Sequence, residues 1–243
     1  MTHAVTSPYL STAEFHAAVY DLSPAVAVFD CDGTLWSGDA GSAFMAYTVE
    51  TGLLSREATD WLDARYRLYK RGEVSELAIC GEMVQVYAGL HESELRRAAR
   101  EFFRTQVERN LFPEMRDLVL ELRRRGTDIW AVSSTNDWVI EEGVRHFDIP
   151  ADRVLSARTS TKNGIVTDAL LEVPTDQGKV TALARASIHT PDAVFGNSVH
   201  DAAMLTIARR PFAINPTPAL LERSTAEGWP VYYPRSVRLE DRS

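Results

Sequence analysis

The stretch Ala25-Val-Ala-Val-Phe-Asp-Cys-Asp-Gly-Thr-Leu35 decides the fold. Its first residues are all apolar, and they run without a break into two carboxylates, a glycine and a hydroxyl. A short apolar run with no polar alternation suits a strand buried on both faces, as in a parallel sheet. Comparable runs recur at 128–132 before Ser133 and at 193–195 before Gly196-Asn197, with shorter ones near 212–214 and 231–233. Between them the periodicity is helical. Pro113 opens a segment in which Met115, Leu118, Val119 and Leu122 share a face, and Gly126 ends it. Residues 176–186 and 200–208 read as further helices, and Thr217-Pro218 starts another.

Strand alternating with helix predicts an α/β fold, a doubly wound parallel sheet with a Rossmann-like core, whose strand ends line the active site. Residues 37–110 break that rhythm: they are rich in helix formers and contain no proline. The expected organisation is a core from 1–36 and 111–243, with 37–110 inserted as a helical cap. Asn163-Gly164 predicts a hairpin turn. Gly178-Lys179 is not a P-loop, since Val173 replaces its first glycine and Val180 its hydroxyl residue.

The 243 residues are 45% hydrophobic and 25% charged, the usage of an ordinary globular chain with a buried core. A net charge of -8 argues against a nucleic-acid or anionic-membrane partner, because phosphate backbones are bound chiefly through Lys and Arg. A small anion needs only a local positive pocket. Cys31 and Cys80 are too few for a disulfide scaffold, and residues 1–15 lack the pattern of a secretory signal. Apolar runs such as 25–29 fall far short of the ~20 residues of a membrane helix. A soluble, cytoplasmic protein is expected, and nothing in the sequence assigns an oligomeric state.

Asp30 and Asp32 carry the chemistry. Two carboxylates at a strand tip are costly to hold together unless a cation or a proton lies between them. Cys31 points to the opposite side, so both acids can face one site, and Gly33-Thr34 permits a sharp turn whose N–H groups can meet a phosphate. The spacing alone suits a pair of solvated turn acids equally well.

The longer string separates the two. Phe29-Asp-Cys-Asp-Gly-Thr-Leu35 resembles the first motif of the haloacid dehalogenase superfamily, and three further motifs follow in family order over most of the chain. Ser133 resembles the hydroxyl of the second motif, with Ser134 beside it, and Lys179 the cation of the third. Gly196-Asn-Ser-Val-His-Asp201 resembles the fourth, which completes a metal site. The resemblance implies that Asp30 is the nucleophile, forming an aspartyl-phosphate, and that Asp32 protonates the leaving oxygen and then activates water. It implies Mg2+ held by Asp30, Asp32, Asn197 and Asp201, and phosphate bound by Ser133, Ser134 and Lys179. The dehalogenases lack an aspartate at the position of Asp32, so phosphoryl transfer is favoured, and the transporting ATPases need membrane helices.

The family usually has aspartate where Asn197 stands, which removes a negative charge from the metal site. The insert resembles the caps of phosphoserine phosphatases, in which an acid at the position of Asp39 takes the substrate amine. Their cap arginine falls on Gly81, so phosphoserine does not follow. Trp61, Tyr66, Tyr69 and Tyr87 either pack the cap or wall a site for a cationic ester, and Arg65, Arg67, Lys70 and Arg71 read as a solvated face. His200 reads as a rim residue, and Cys31 as a buried small residue whose neighbours raise its thiol pKa. The expected function is hydrolysis of a small phosphorylated metabolite. The alternatives are a phosphotransferase or phosphomutase with the same intermediate, and a catalytically weakened small-molecule binder.

Overall fold

The computed structural model describes residues 9–240; the first eight residues of the stretch read above for a leader lie outside them. The chain opens with β1 (Tyr9–Leu10), α1 (Thr12–Leu22) and β2 (Val26–Phe29). Four helices follow: α2 (Ala40–Glu50), α3 (Arg56–Lys70), α4 (Glu76–Gln85) and α5 (Glu92–Phe102). Alternation then resumes with α6 (Pro113–Arg124), β3 (Asp128–Asn136), α7 (Asp137–Val144), β4 (Val154–Lys162) and β5 (Ile165–Glu172). The chain continues through α8 (Gln177–Arg185), β6 (Ala193–Gly196), α9 (Ala202–Thr206) and β7 (Arg210–Ile214). It ends with α10 (Pro218–Glu227), β8 (Val231–Tyr232) and α11 (Arg235–Glu240). No helix of the described residues is long and apolar enough to cross a membrane.

The strands form one sheet in the order β1-β8-β7-β6-β2-β3-β4-β5. β2 lies at its centre, parallel to β3 and β6, with Phe29 opposite both Ala131 and Phe195. Its alternate residues build two different cores, as the unbroken apolar run requires. Ala27 and Phe29 pack on one face with Phe15, Phe195 and Phe212. Val28 packs on the other with Trp130, Val132 and Val194. The edge pair β4–β5 is antiparallel, turned by Asn163 (φ 54°) and Gly164 (φ 78°), so the expected hairpin closes an otherwise parallel sheet.

α6 begins at Pro113 and ends before Gly126, whose φ of 88° takes the chain out of the helix. The 200–208 segment is less regular than expected: a 3-10 turn over Val199–Asp201 precedes the short α9. Residues 40–110 contain no strand, only helices and their connections, apart from an isolated bridge at His91. Ser55 and Ser75 cap α3 and α4, each accepting from a backbone N–H three residues on. The carboxyl ends of β2, β3 and β6 thus converge beneath α3 and α4.

Candidate active site

Asp30 follows β2 directly, and its N–H still belongs to the sheet, donating to Phe195 O at 2.9 Å. The chain then folds back at once. Leu35 N–H donates to Cys31 O and Gly33 N–H to Trp36 O, both at 2.8 Å. Gly33 has φ +75°, and a Cβ there would lie 1.8 Å from Asn197 Nδ2. Only glycine satisfies both the turn and the close approach of the loop after β6.

Asp30 is buried, with Oδ1 accepting from Lys179 Nζ at 2.8 Å and Oδ2 from Thr34 Oγ1 at 2.9 Å. Burial, followed by the charge of Asp201, pushes its carboxyl up to about 7 against the pull of Lys179. Lys179 comes from the first turn of α8 and is itself buried. Its ammonium donates to Asp30 Oδ1, to Asp201 Oδ1 at 2.6 Å and to Val132 O at 3.1 Å, which uses all of its protons. Burial opposes that charge, yet Asp201 and Asp30 outweigh it and hold Lys179 well above the ordinary lysine range.

Asp201 is equally committed. Its Oδ2 accepts from the N–H groups of Asn197 and Ser198, each at 2.9 Å, so it fixes the loop with one oxygen and the lysine with the other. A Cβ on Gly196 would lie 2.6 Å from Asp201 Cβ, which explains a glycine at the end of β6.

Asp32 is pinned by three donors. Oδ1 accepts from Trp36 Nε1 at 2.7 Å and from Ala40 N–H at 2.8 Å, and Oδ2 from Thr135 Oγ1 at 2.8 Å. Burial, then the charge of Asp39, raises this carboxyl to about 6, with the donors opposing. β3 loses register between Ser133 and Asn136, an irregularity of the kind that re-aims side chains. Ser133 is buried, its Oγ accepting from Thr135 N–H at 3.1 Å. Burial and then the neighbouring Asp30 and Asp32 push the Cys31 thiol far up, as its reading as an inert small residue requires.

These residues meet in one cleft of about 380 Å3, lined from the sheet side by Asp30, Asp32, Ser133, Ser134, Lys179, Asn197 and Asp201. Every site residue expected from the sequence therefore lies on one cavity. Asp39 reaches only its exposed edge. There it caps α2, with Oδ1 accepting from Ser42 N–H at 2.9 Å and Oδ2 from Ser42 Oγ at 2.7 Å, so its carboxylate already has local work. His200 sits at the rim as expected, with Nδ1 2.8 Å from Asp176 Oδ1 and Nε2 3.5 Å from Glu76 Oε2.

The aromatic residues divide. Tyr66 and Tyr69 line the cleft, whereas Tyr87 is buried against Phe44 and Trp138, and Trp61 is 53% exposed and outside the cleft. The expected solvated face holds for Arg67, Lys70 and Arg71, which are exposed, while Arg65 is half-buried, and Lys70 also borders the site. Lys70 lines the cleft and lies 5.1 and 5.5 Å over the rings of Tyr66 and Tyr69. Arg65 grips Glu82, with its shortest contact at 2.6 Å. Trp36, Thr135 and Glu76 escaped the sequence reading, and Thr34 was read only as a turn residue, without its bond to Asp30. Thr34 lies inside the quoted motif, four residues from its partner, the one signal that pointed to it.

The donor set suits a hard cation. Asp30 and Asp201 share the single buried cation Lys179, and burial followed by the charge of Asp201 raises the Asp30 carboxyl, so a further cation beside Asp30 would be favoured. Asp30, the backbone carbonyl of Asp32 and the amide of Asn197 supply oxygen only, and Mg2+ accepts a few such ligands while keeping waters. No group of three His, Cys, Asp or Glu side chains among the described residues is arranged to hold a metal, so carbonyl, amide and water oxygens must contribute.

A doubly wound sheet with an acid pair and a serine at adjoining strand ends, and a buried lysine reaching them from α8, is the arrangement of an α/β enzyme. The chain belongs to the family described as haloacid dehalogenase-like hydrolase, whose model matches residues 27–206. It is 25% identical over 217 residues to a protein of Neisseria meningitidis serogroup C (strain 8013) named histidinol-phosphatase, covering 85% of this chain and 97% of that one. It is also similar to the crystal structure of a protein of unknown function from Bordetella pertussis Tohama I, with TM-score 0.76, 25% identity, and 85% and 97% of the two chains covered. A substrate-bound phosphoserine phosphatase complex shares the fold at TM-score 0.61 and 16% identity, over 87% of this chain and 93% of that one.

Proposed function

We propose that the protein is a Mg2+-dependent phosphomonoester hydrolase that acts on a small phosphorylated metabolite through an aspartyl-phosphate on Asp30. The observation that carries this reading is the pairing of Asp30 with Lys179 at 2.8 Å on the floor of the cleft, beside a separately anchored Asp32. An Asp30 oxygen attacks phosphorus while the bond to the leaving oxygen breaks. Asp32 gives that oxygen its proton. It then takes a proton from water, whose oxygen attacks the acyl phosphate, releases inorganic phosphate and restores Asp30. A carboxyl near 6 is poised for both duties. Its three anchors hold it in place for each step.

Bound Mg2+ supplies the charge that relieves repulsion between carboxylate and phosphate. Asp30, the Asp32 carbonyl and Asn197 are the residues to hold it. Asp201, with both oxygens engaged, acts by positioning Lys179 and the loop. Ser133 and Ser134 stand ready to donate to phosphoryl oxygens. Residues 37–110 serve as the cap over a core of 1–36 and 111–243. Both cysteines are free thiols, the usual state in the cytoplasm, to which we assign the enzyme.

The relative named histidinol-phosphatase makes histidinol phosphate the first ester to try. The test is phosphate release from a panel of esters with and without Mg2+, joined to acid-quench mass spectrometry of the peptide containing Asp30. A phosphorylated Asp30 and free phosphate in water are expected. Turnover that survives Asp30→Asn, or phosphate that reaches only an organic acceptor, would sink the hydrolase reading.

A further inference from the structure

Hydrolysis at Asp30 leaves the alcohol half of the ester without an assigned partner. α3 and α4 supply the wall opposite the sheet residues, with Tyr66, Tyr69, Glu76, Ile79 and Met83 among its residues. Resting on the phosphatase reading, we propose that the cleft selects esters whose alcohol carries an ammonium or imidazolium, and that Glu76 reads this charge.

The charge balance of the cavity comes first. Asp30, Asp32, Asp39, Glu76 and Asp201 line it against Lys70 and Lys179. Lys179 is consumed by Asp30 and Asp201. Asp39 caps α2 from the exposed edge of the cleft, with one donor on each oxygen. Glu76 is the acid of the cap-side wall, its side chain 14% exposed. The carboxylate takes the weak Cys80 thiol on Oε1 at 3.4 Å and has the Tyr69 hydroxyl beside it. Its Oε2 is buried with no hydrogen-bond partner among the described residues. His200 Nε2 lies 3.5 Å from Oε2, on a ring already bound to Asp176. A carboxylate so poorly supplied with donors in a partly buried wall gains from an arriving cation.

Tyr66 and Tyr69 line the same wall as Glu76, and Lys70, over one side of each ring, is the resident cation that a charged alcohol would have to displace or avoid. Ile79 and Met83 offer apolar contact to the carbons between charge and phosphate. A volume of about 380 Å3 lies at the small end of ligand pockets, so phosphate and cation must be only a few bonds apart.

Matched substrates decide the matter: 2-aminoethyl, 2-hydroxyethyl and 2-carboxyethyl phosphate, with p-nitrophenyl phosphate as a general reporter. In the native protein kcat/KM is expected to be roughly tenfold higher for the aminoethyl ester than for the hydroxyethyl ester. Glu76→Gln should lower it on the aminoethyl ester by about tenfold more than on the hydroxyethyl ester. Melting temperature reports whether the variant folds. Calorimetry of 2-aminoethylphosphonate against ethylphosphonate on Asp30→Asn, with and without Glu76→Gln, gives the same comparison without turnover. Equal losses on both esters, or no preference in the native protein, would overturn the proposal while leaving the phosphatase reading intact. Preference for the carboxyethyl ester that disappears in Lys70→Met would overturn it in favour of Lys70. Failure to hydrolyse any ester, p-nitrophenyl phosphate included, would overturn both readings.

Discussion

Lys179 and Asp201 form the tightest ion pair of the cleft, 2.6 Å apart with both side chains 2% exposed. The pair shows what each acid around the lysine does for the fold. Asp30→Asn removes a carboxylate that burial and Asp201 already disfavour, and leaves Lys179 balanced by Asp201. That variant should lose turnover and keep, or slightly raise, its melting temperature. Asp201→Asn should behave in the opposite way. One amide cannot accept from Lys179 and from the N–H groups of Asn197 and Ser198 as a carboxylate does. A loss of roughly 2–4 kcal/mol is expected. Urea denaturation of the two variants checks the contrast, and equal stabilities would refute it.

Asp32 makes a separate case because its partners do not include Lys179. Asp32→Asn should slow leaving-group protonation and hydrolysis of the intermediate, each by about 10²–10⁴-fold. An aryl phosphate leaves as a phenolate and needs little protonation, so its first step should suffer less than that of an alkyl phosphate. Thr135→Val removes the Oδ2 anchor and keeps the acid, so a smaller loss of the same pattern is expected. Single-turnover kinetics on the two esters provides the comparison. Equal first-step losses would count against Asp32 as the acid.

Much of this site was legible because strand ends announce themselves. The uninterrupted run before Asp30 marks a strand buried on both faces, and the acid pair marks its tip. Ser133 and Asn197 were found in the same way, at the ends of apolar runs. Contacts between distant segments were not legible. Thr135 reaches Asp32 across the register change in β3, which no local pattern signals. Lys70 and Glu76 lie on helices whose charged residues look like any solvated face, and only packing turns those two toward the cleft. Asp39 shows the converse: a position that suits substrate binding by analogy is also a helix cap, a second role that each oxygen serves with one hydrogen bond.

Away from the cleft, Asp137 should make stability depend on pH. It stands in the first turn of α7, with Oδ1 buried and lacking a hydrogen-bond partner among the described residues, and with Arg96 Nη2 3.7 Å from Oδ2. Burial pushes its carboxyl up to about 6 from an ordinary 3.8, against the pull of Arg96. The folded chain therefore holds this proton more tightly than the unfolded chain, and stability falls as pH rises between those values. Relative to Asp137→Asn, the native protein should lose roughly 1–2 kcal/mol between pH 4 and 7, after allowance for solvent screening. Urea titrations at several pH values provide the check. A difference that stays flat with pH would refute it.

Asn197 is the departure from the family pattern with the clearest consequence. Its amide lies against Gly33, at the end of β6 and facing the tip of β2, where a hard cation would share it with Asp30. A neutral oxygen binds Mg2+ less strongly than a carboxylate, because the attraction between full opposite charges is missing. Asn197→Asp should therefore lower the Mg2+ concentration at half-maximal activity. The maximal rate need not rise, since the added charge also opposes the incoming phosphate and joins a corner already crowded by Asp30, Asp32 and Asp201. Magnesium binding measured calorimetrically without substrate separates these effects, and it should tighten even if turnover falls. If Asn197 is not a ligand, the substitution leaves both titrations where they were. Coincident half-saturation points in the native and substituted proteins would refute ligation by Asn197 and leave Asp30 and the Asp32 carbonyl to hold the ion with water.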